Sequence, residues 1–362
     1  VGGYLTDNYS WQWIFIINIP LSLLSLLLIK LFVADETPVK QKYNKKFDIV
    51  GYTSIVIAMG CMQVVLDKGQ QYNWFDETWI CWTTGVCIFS FVFFYVWELE
   101  YKYPVIDIRV FKDRNFLFGT ITSSFINIIL YSTLLLVPMF VQSLIGYSPS
   151  MSGLTMFPRA VVCLIGLIVV GEVSKYVNQK LLSSIGFIVM ACALLMLTQM
   201  NPTSSMESIV LPNILLCIGV PIAFVPITAL SFQTLPASKN ADAASLHALF
   251  KNILTAVSTS ASSTFIARVS QVYQNYYVAN LTPHNPLFLI KFTAFKHKMM
   301  TYYPAVVASK KANGLLYKQL LAQARLGAFF DIFTLMALLS LSAILIILLL
   351  KNKQKCQSKA TK

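Results

Sequence analysis

The chain has 362 residues, 56% of them hydrophobic and 12% charged, whereas a soluble domain carries about 25% charged residues; the composition excludes an ordinary water-soluble domain and points to a lipid solvent. The formal charge of +13 does not indicate nucleic acid, because Lys and Arg fall between apolar runs. Seven cysteines without a Cys-x-x-Cys pair, and three histidines with no Cys or carboxylate at ligand spacing, indicate neither a disulfide framework nor a metal or other cofactor.

A membrane helix needs about 20 mainly apolar residues. Nine stretches qualify, none with more than one charged residue: 11–29, 49–66, 78–97, 116–145, 153–171, 181–199, 209–235, 246–267 and 329–350. Between the fourth and fifth, Gly146-Tyr-Ser-Pro-Ser150 is turn chemistry and makes a hairpin. Backbone amides in hydrocarbon must pair internally, and these stretches far exceed barrel strands of about ten residues. The expected fold is therefore an all-α membrane protein, a polytopic helix bundle with about nine transmembrane helices. Pro20, Pro138, Pro158, Pro212, Pro221 and Pro226 lie in or beside the spans, as in membrane helices that bend.

Orientation follows from the short connections. With Asp7 outside, the inner connections and the tail hold seventeen Lys and Arg, against one, Lys68, in the short outer connections. The tail 351–362 is thus expected in the cytoplasm. The connection 269–328 carries seven basic residues on the outer side, but long loops cross largely regardless of charge. Trp11, Trp13, Trp74, Trp79 and Trp97 sit at span ends, like an aromatic belt. A start at Val1 rather than Met, just before an outer connection, reads as a start in mid-protein after an odd number of earlier spans.

Several runs carry a family resemblance. Val1-Gly-Gly-Tyr-Leu-Thr-Asp-Asn-Tyr-Ser-Trp-Gln-Trp-Ile-Phe-Ile-Ile-Asn-Ile-Pro20 resembles a major facilitator superfamily segment that follows the fifth helix of proton-coupled antiporters. Gly2 and Gly3 would be the tail of the antiporter motif. Phe47-Asp-Ile-Val-Gly51, Val65-Leu-Asp-Lys-Gly-Gln70, Pro104-Val-Ile-Asp-Ile-Arg-Val-Phe111 and Gly146-Tyr-Ser-Pro149 are similar to the EmrB/QacA-type subfamily of fourteen-helix drug:proton antiporters. The resemblance implies helices six to fourteen of that fold. Residues 1–32 would close the N-terminal half, and 33–114 would hold two linking helices. The C-terminal half would be 115–350, with an external loop at 269–328, and 351–362 a basic tail. At 251–255 the sequence departs from the family, with Ile253, Leu254 and Thr255 where close-packed glycines are common.

Candidate site residues come next. Ser124, Asn127, Tyr131, Pro138 and Gln142 recur near multiples of 3.6, making one polar stripe on an apolar helix. It faces either a cavity or another helix through hydrogen bonds. Asn127, Tyr131 and Gln142, with Met139, Phe224 and Phe232, suit an apolar drug pocket with sparse polar groups. Arg159 lies inside a span, where it either lines the substrate path or snorkels to the interface. His247 and Lys251 share a helix face near a cytoplasmic end. Asp107 and Arg109 could pair with a neighbouring loop. All fifteen acids lie outside the spans or at their ends, so Asp48, Glu172, Asp242 and Asp331 read as caps or solvated charges, and the resemblance places the proton site in the N-terminal half.

The expected function is a non-enzymatic secondary transporter of the cell inner membrane that exports small lipophilic compounds against protons. An exporter of one metabolite, such as a siderophore or fatty acid, and a non-functional gene fragment are the alternatives. Stretch 269–328 could contact a periplasmic adaptor protein, or lie on the lipid bilayer through 287–292 and 315–321.

Overall fold

The computed structural model describes residues 2–32, 48–101, 106–236, 239–279, 281–282 and 286–350. The basic connection 33–47, the tail 351–362 and His284 fall outside them. Among these described residues twelve α-helices follow in chain order: α1 (Gly2–Asn8), α2 (Trp13–Ile16), α3 (Asn18–Phe32), α4 (Ile49–Gly69), α5 (Thr78–Glu100), α6 (Arg114–Phe140), α7 (Pro149–Val173), α8 (Gln179–Leu197), α9 (Met206–Phe232), α10 (Asn240–Val278), α11 (Pro286–Met300) and α12 (Ala305–Leu349). Eight helical stretches among the described residues are long and apolar enough to cross a membrane.

Local chemistry sets the helix starts. Asp48 accepts the Gly51 N–H at 2.9 Å, Asp113 that of Phe116 at 2.9 Å, and Ser148 that of Met151 at 3.3 Å with Pro149 in the first turn. Each satisfies an amide the helix leaves open. At the far end of α6 a π-helical turn, Val141–Ile145, stops at Gly146 with φ +86°, a conformation glycine adopts without strain. That turn folds α6 back into α7, the hairpin its turn residues predict.

The main core lies among α6, α8, α9 and α12, filled by Phe140, Phe187, Met190, Leu194, Phe329 and Phe333. Helices α8 and α9 touch through glycine: a Cβ on Gly186 would fall 2.4 Å from the Ala223 nitrogen, and one on Gly219 would fall 2.7 Å from Met190. A smaller core joins the α4–α5 hairpin to the start of α10 through Ile55, Phe94, Val110, Phe116 and Leu246. Trp97 donates its indole N–H to both Asp48 oxygens, at 3.1 and 3.0 Å, tying the two ends of that hairpin.

One expectation is corrected. The stretch 269–328 is mostly helical instead of a loop: α10 continues to Val278, and α12, which contains 315–321, is one helix from Ala305. At 1.5 Å per residue the 39 residues of α10 and 45 of α12 reach about 58 and 67 Å, roughly twice a 30 Å hydrocarbon core. Buried Ala308, Ala312, Leu316, Leu320, Ala324 and Ala328 recur every four residues on α12, a ridge on which α10 and α11 pack. That ridge runs straight into Ile332 and Met336 of the apolar segment, so the helix has no reason to break at the interface.

Candidate functional site

Helices α6 and α10 meet along a polar seam. Ser123 Oγ lies 2.9 Å from His247 Nε2, Ser262 donates to Ser132 Oγ at 2.8 Å, and Ser132 donates to the Ser258 carbonyl at 3.4 Å. Small hydroxyl residues let the backbones approach while satisfying each other across the gap. His247 turns inward, its ring 6.2 Å from that of Phe232, which in turn sits 5.9 Å from Phe116. Beside the seam is a cavity of about 500 Å³ between α6 and α10, lined by Phe111, Thr120, Ser124, Phe125, Phe250 and Leu254. Its wall is almost entirely apolar, and the buried Thr120 Oγ1 has no hydrogen-bond partner among the described residues.

Arg159 is 4% exposed. Its guanidinium donates to the Leu130 carbonyl at 3.2 Å, to Thr133 Oγ1 at 3.0 Å and to Asn213 Oδ1 at 3.5 Å. Three helices, α6, α7 and α9, therefore share one cation held by neutral groups; the two ion pairs found among the described residues are elsewhere.

The other predicted residues separate along α6. Asn127 is buried and donates to the Ser123 carbonyl at 2.9 Å, which places it on the seam. Tyr131 is half-buried. Met139 is 39% exposed and lines a second cavity where α6, α10 and α12 converge. Gln142, in the π-turn, donates to Ser152 Oγ at 3.2 Å. Phe224 packs on the main core and Phe232 on the smaller one. Asp107 pairs with Lys239 at 3.2 Å, while Arg109 donates to the Leu99 carbonyl at 2.9 Å. Glu172 pairs with Lys175, and Asp331 accepts the Tyr273 hydroxyl at 2.9 Å.

At the other end, a Cβ on Gly3 would lie 2.2 Å from the Pro149 carbonyl oxygen, whereas nothing lies within 4 Å of one on Gly2. Close approach of α1 to α7 thus depends on Gly3. Asp7 accepts the Ser150 N–H at 2.8 Å, and its closeness to Ser150 holds its carboxyl below the usual range.

Sequence reasoning missed Ser123, Ser132 and Ser258 as seam residues, and Thr133 and Asn213 as partners of Arg159. Serine and threonine also satisfy themselves on their own helix, as Thr133 does with Ile129, so composition does not separate the two roles. Asn213, a lone amide in the apolar run of α9, carries the one signal that could have been read.

Long apolar helices, several with proline inside them, packed around a sparse polar seam, make this a multi-pass membrane protein. The Major Facilitator Superfamily profile matches residues 1–259. The chain belongs to that superfamily, and within it to the EmrB type. It is 30% identical over 80% of its length to the probable multidrug resistance protein EmrY of Escherichia coli, covering 56% of that protein. It is 27% identical over 96% of its length to the multidrug export protein EmrB of Haemophilus influenzae, covering 66% of it. With the fatty acid resistance protein FarB of Neisseria gonorrhoeae it shares 27% identity over 79% of its length, covering 56%. The chain thus spans less than two thirds of the length of each of these relatives.

Proposed function

We propose that the protein bearing this chain is a secondary active exporter of lipophilic small molecules, coupled to the proton gradient across the bacterial inner membrane, with its C-terminus in the cytoplasm. The observation that carries this reading is the seam of α6 and α10. It offers a few polar groups beside a largely apolar cavity of about 500 Å³, the composition suited to varied hydrophobic ligands. Exporters of this superfamily expose such a site alternately to each side by rocking two halves about it. Residues 115–350 act as one half, with 1–32 belonging to the other and 33–114 linking them. Asn127, Tyr131 and Gln142 provide polar contacts along the path, Met139, Phe224 and Phe232 adaptable apolar ones, and Arg159 a fixed positive charge. Gly2 and Gly3 end the antiporter motif. The proton-carrying carboxylate belongs to the N-terminal half; Asp331, expected as a cap but lying in the interior of α12, is engaged by the Tyr273 hydroxyl.

The extension formed by α10, α11 and α12 offers the contact for a periplasmic adaptor. Ala305 lies 24 residues before Phe329, about 36 Å along the helix axis. Crosslinking from Lys298 or Lys310 in cells should capture a protein; capture of lipid alone would overturn the adaptor role.

Energised vesicles containing the intact protein should export ethidium, and lose that export when the proton gradient is collapsed. Unchanged export without the gradient would sink the coupling. The relative named for fatty acid resistance supports a second substrate reading, so a fluorescent long-chain fatty acid belongs in the same assay. Export of the fatty acid but not ethidium would favour the dedicated exporter.

A further inference from the structure

Where α6, α10 and α12 converge lies a cavity of about 330 Å³, separate from the seam cavity and near the start of the extension. Gln271, Gln274 and Arg325 give it polar lining, and Met139, Ile266 and Leu321 apolar surface. Arg325 comes four residues before Phe329, where the apolar run of α12 begins, hence about 6 Å along the axis from it. That is the depth of lipid headgroups.

The polar groups here are not used up by the protein. Arg325 has no hydrogen-bond or ion-pair partner among the described residues. Ser270 also lines this cavity, and its buried Oγ has no partner among them. Gln274 donates to the Tyr317 hydroxyl at 2.7 Å, leaving its carbonyl oxygen. No Asp or Glu occurs between Asp242 and Asp331, and Asp331 is engaged by Tyr273. A guanidinium and the Gln271 amide therefore line one space without a carboxylate to neutralise them, and guanidinium is the group that best matches carboxylate or phosphate.

We propose that this crevice binds an amphiphile through a single anionic headgroup, a carboxylate or a phosphate, with its chain directed into the membrane along Met139 and Ile266. Arg325 carries the charge recognition, and Gln271 adds hydrogen bonds. The site stands independently of the transport reading, since it requires occupancy at the interface and not movement across it. A membrane phospholipid and a free fatty acid share this chemistry and are separated by the test.

The intact protein, in nanodiscs of phosphatidylcholine, is photolabelled with a diazirine-bearing palmitate and the adducts mapped by peptide mass spectrometry. Label should concentrate on the peptides holding Met139 and Ile266. It should fall about tenfold in Arg325→Gln, the worth of one charge-assisted hydrogen bond, and far less in Arg325→Lys. Displacement of the label by phosphatidylglycerol added to the nanodiscs would identify phospholipid as the occupant; persistence would identify a free carboxylate amphiphile. The methyl ester of the probe, tested on the unaltered protein, removes any dependence on variant folding. Equal labelling by ester and acid, or label spread evenly over the membrane helices, would overturn the proposal.

Discussion

Arg159 raises the question of what its charge is for. Burying an ion costs several kcal/mol even after relaxation, and neutral dipoles recover only part of that. The acceptors it uses are not stranded without it. The Leu130 carbonyl also receives the Thr133 hydroxyl at 3.0 Å, Thr133 also reaches Ile129, and the Asn213 contact is long at 3.5 Å. Replacing Arg159 with methionine, similar in length but uncharged, should therefore change the unfolding free energy in micelles by no more than about 1 kcal/mol in either direction. Export by the intact protein should fall all the same. A loss of stability well beyond that range would make Arg159 a structural clamp. Gly3 allows a cleaner contrast. A methyl group there meets backbone atoms of Pro149, which cannot yield as a side chain would. Gly3→Ala should part α1 from α7, abolishing a disulfide engineered between cysteines at Asp7 and Ser150, whose carboxylate and N–H lie 2.8 Å apart, and Gly2→Ala should leave it intact. Equal crosslinking in both would refute the close contact. At this scale the sequence exposed the anomalies, a charge in a span and a pair of glycines, because each breaks a local rule. Their partners were not legible, since Thr133 and Asn213 become neighbours of Arg159 only through the packing of three helices.

Among the elements, α10 and α12 show where apolar patterning loses information. The apolar runs 246–267 and 329–350 mark the membrane portions of both helices, and the helices contain them. Hydropathy ends there because lysines and polar residues follow, yet helix continuity depends on buried spacing instead of mean composition. In the extension the signal is alanine and leucine every fourth residue, which is easily overlooked among lysines. α10 is also too rich in serine and threonine to qualify as a span by composition alone, although its hydroxyls bond across to α6 and, from Ser260, to the Leu66 carbonyl of α4 at 2.7 Å. Leu320, 8% exposed on the α12 ridge, tests the packing. Leu320→Ala should destabilise the extension by about 2–4 kcal/mol, seen as faster protease cleavage within 286–312 while the fragment holding α8 and α9 stays protected. Cleavage unchanged by the substitution would mean that the ridge does not hold the extension together.

The whole molecule is uneven in how its parts are held. Helices α6 to α10 and α12 share the main core, and α4 and α5 join them through the smaller one. By contrast α3 has no buried residue, and among the described residues its segment meets the bundle chiefly through α1, at Gly3 and Asp7. An apolar helix with no packed face suits lipid, but it cannot transmit a movement to helices it does not touch. Alternating access requires two bodies that rock against each other around a shared site, and the described residues supply one. The 362-residue chain expressed alone should therefore insert and retain a protease-resistant core spanning α6 to α9, while ethidium efflux from energised vesicles stays at the level of empty ones. Removing residues 1–32 should leave that core and its thermal transition unchanged, because nothing in the core rests on α3. Gradient-dependent efflux by the 362-residue chain would show that one bundle, or two copies of it, suffices for transport, and the first groups to neutralise would then be Arg159, Glu172 and Asp331.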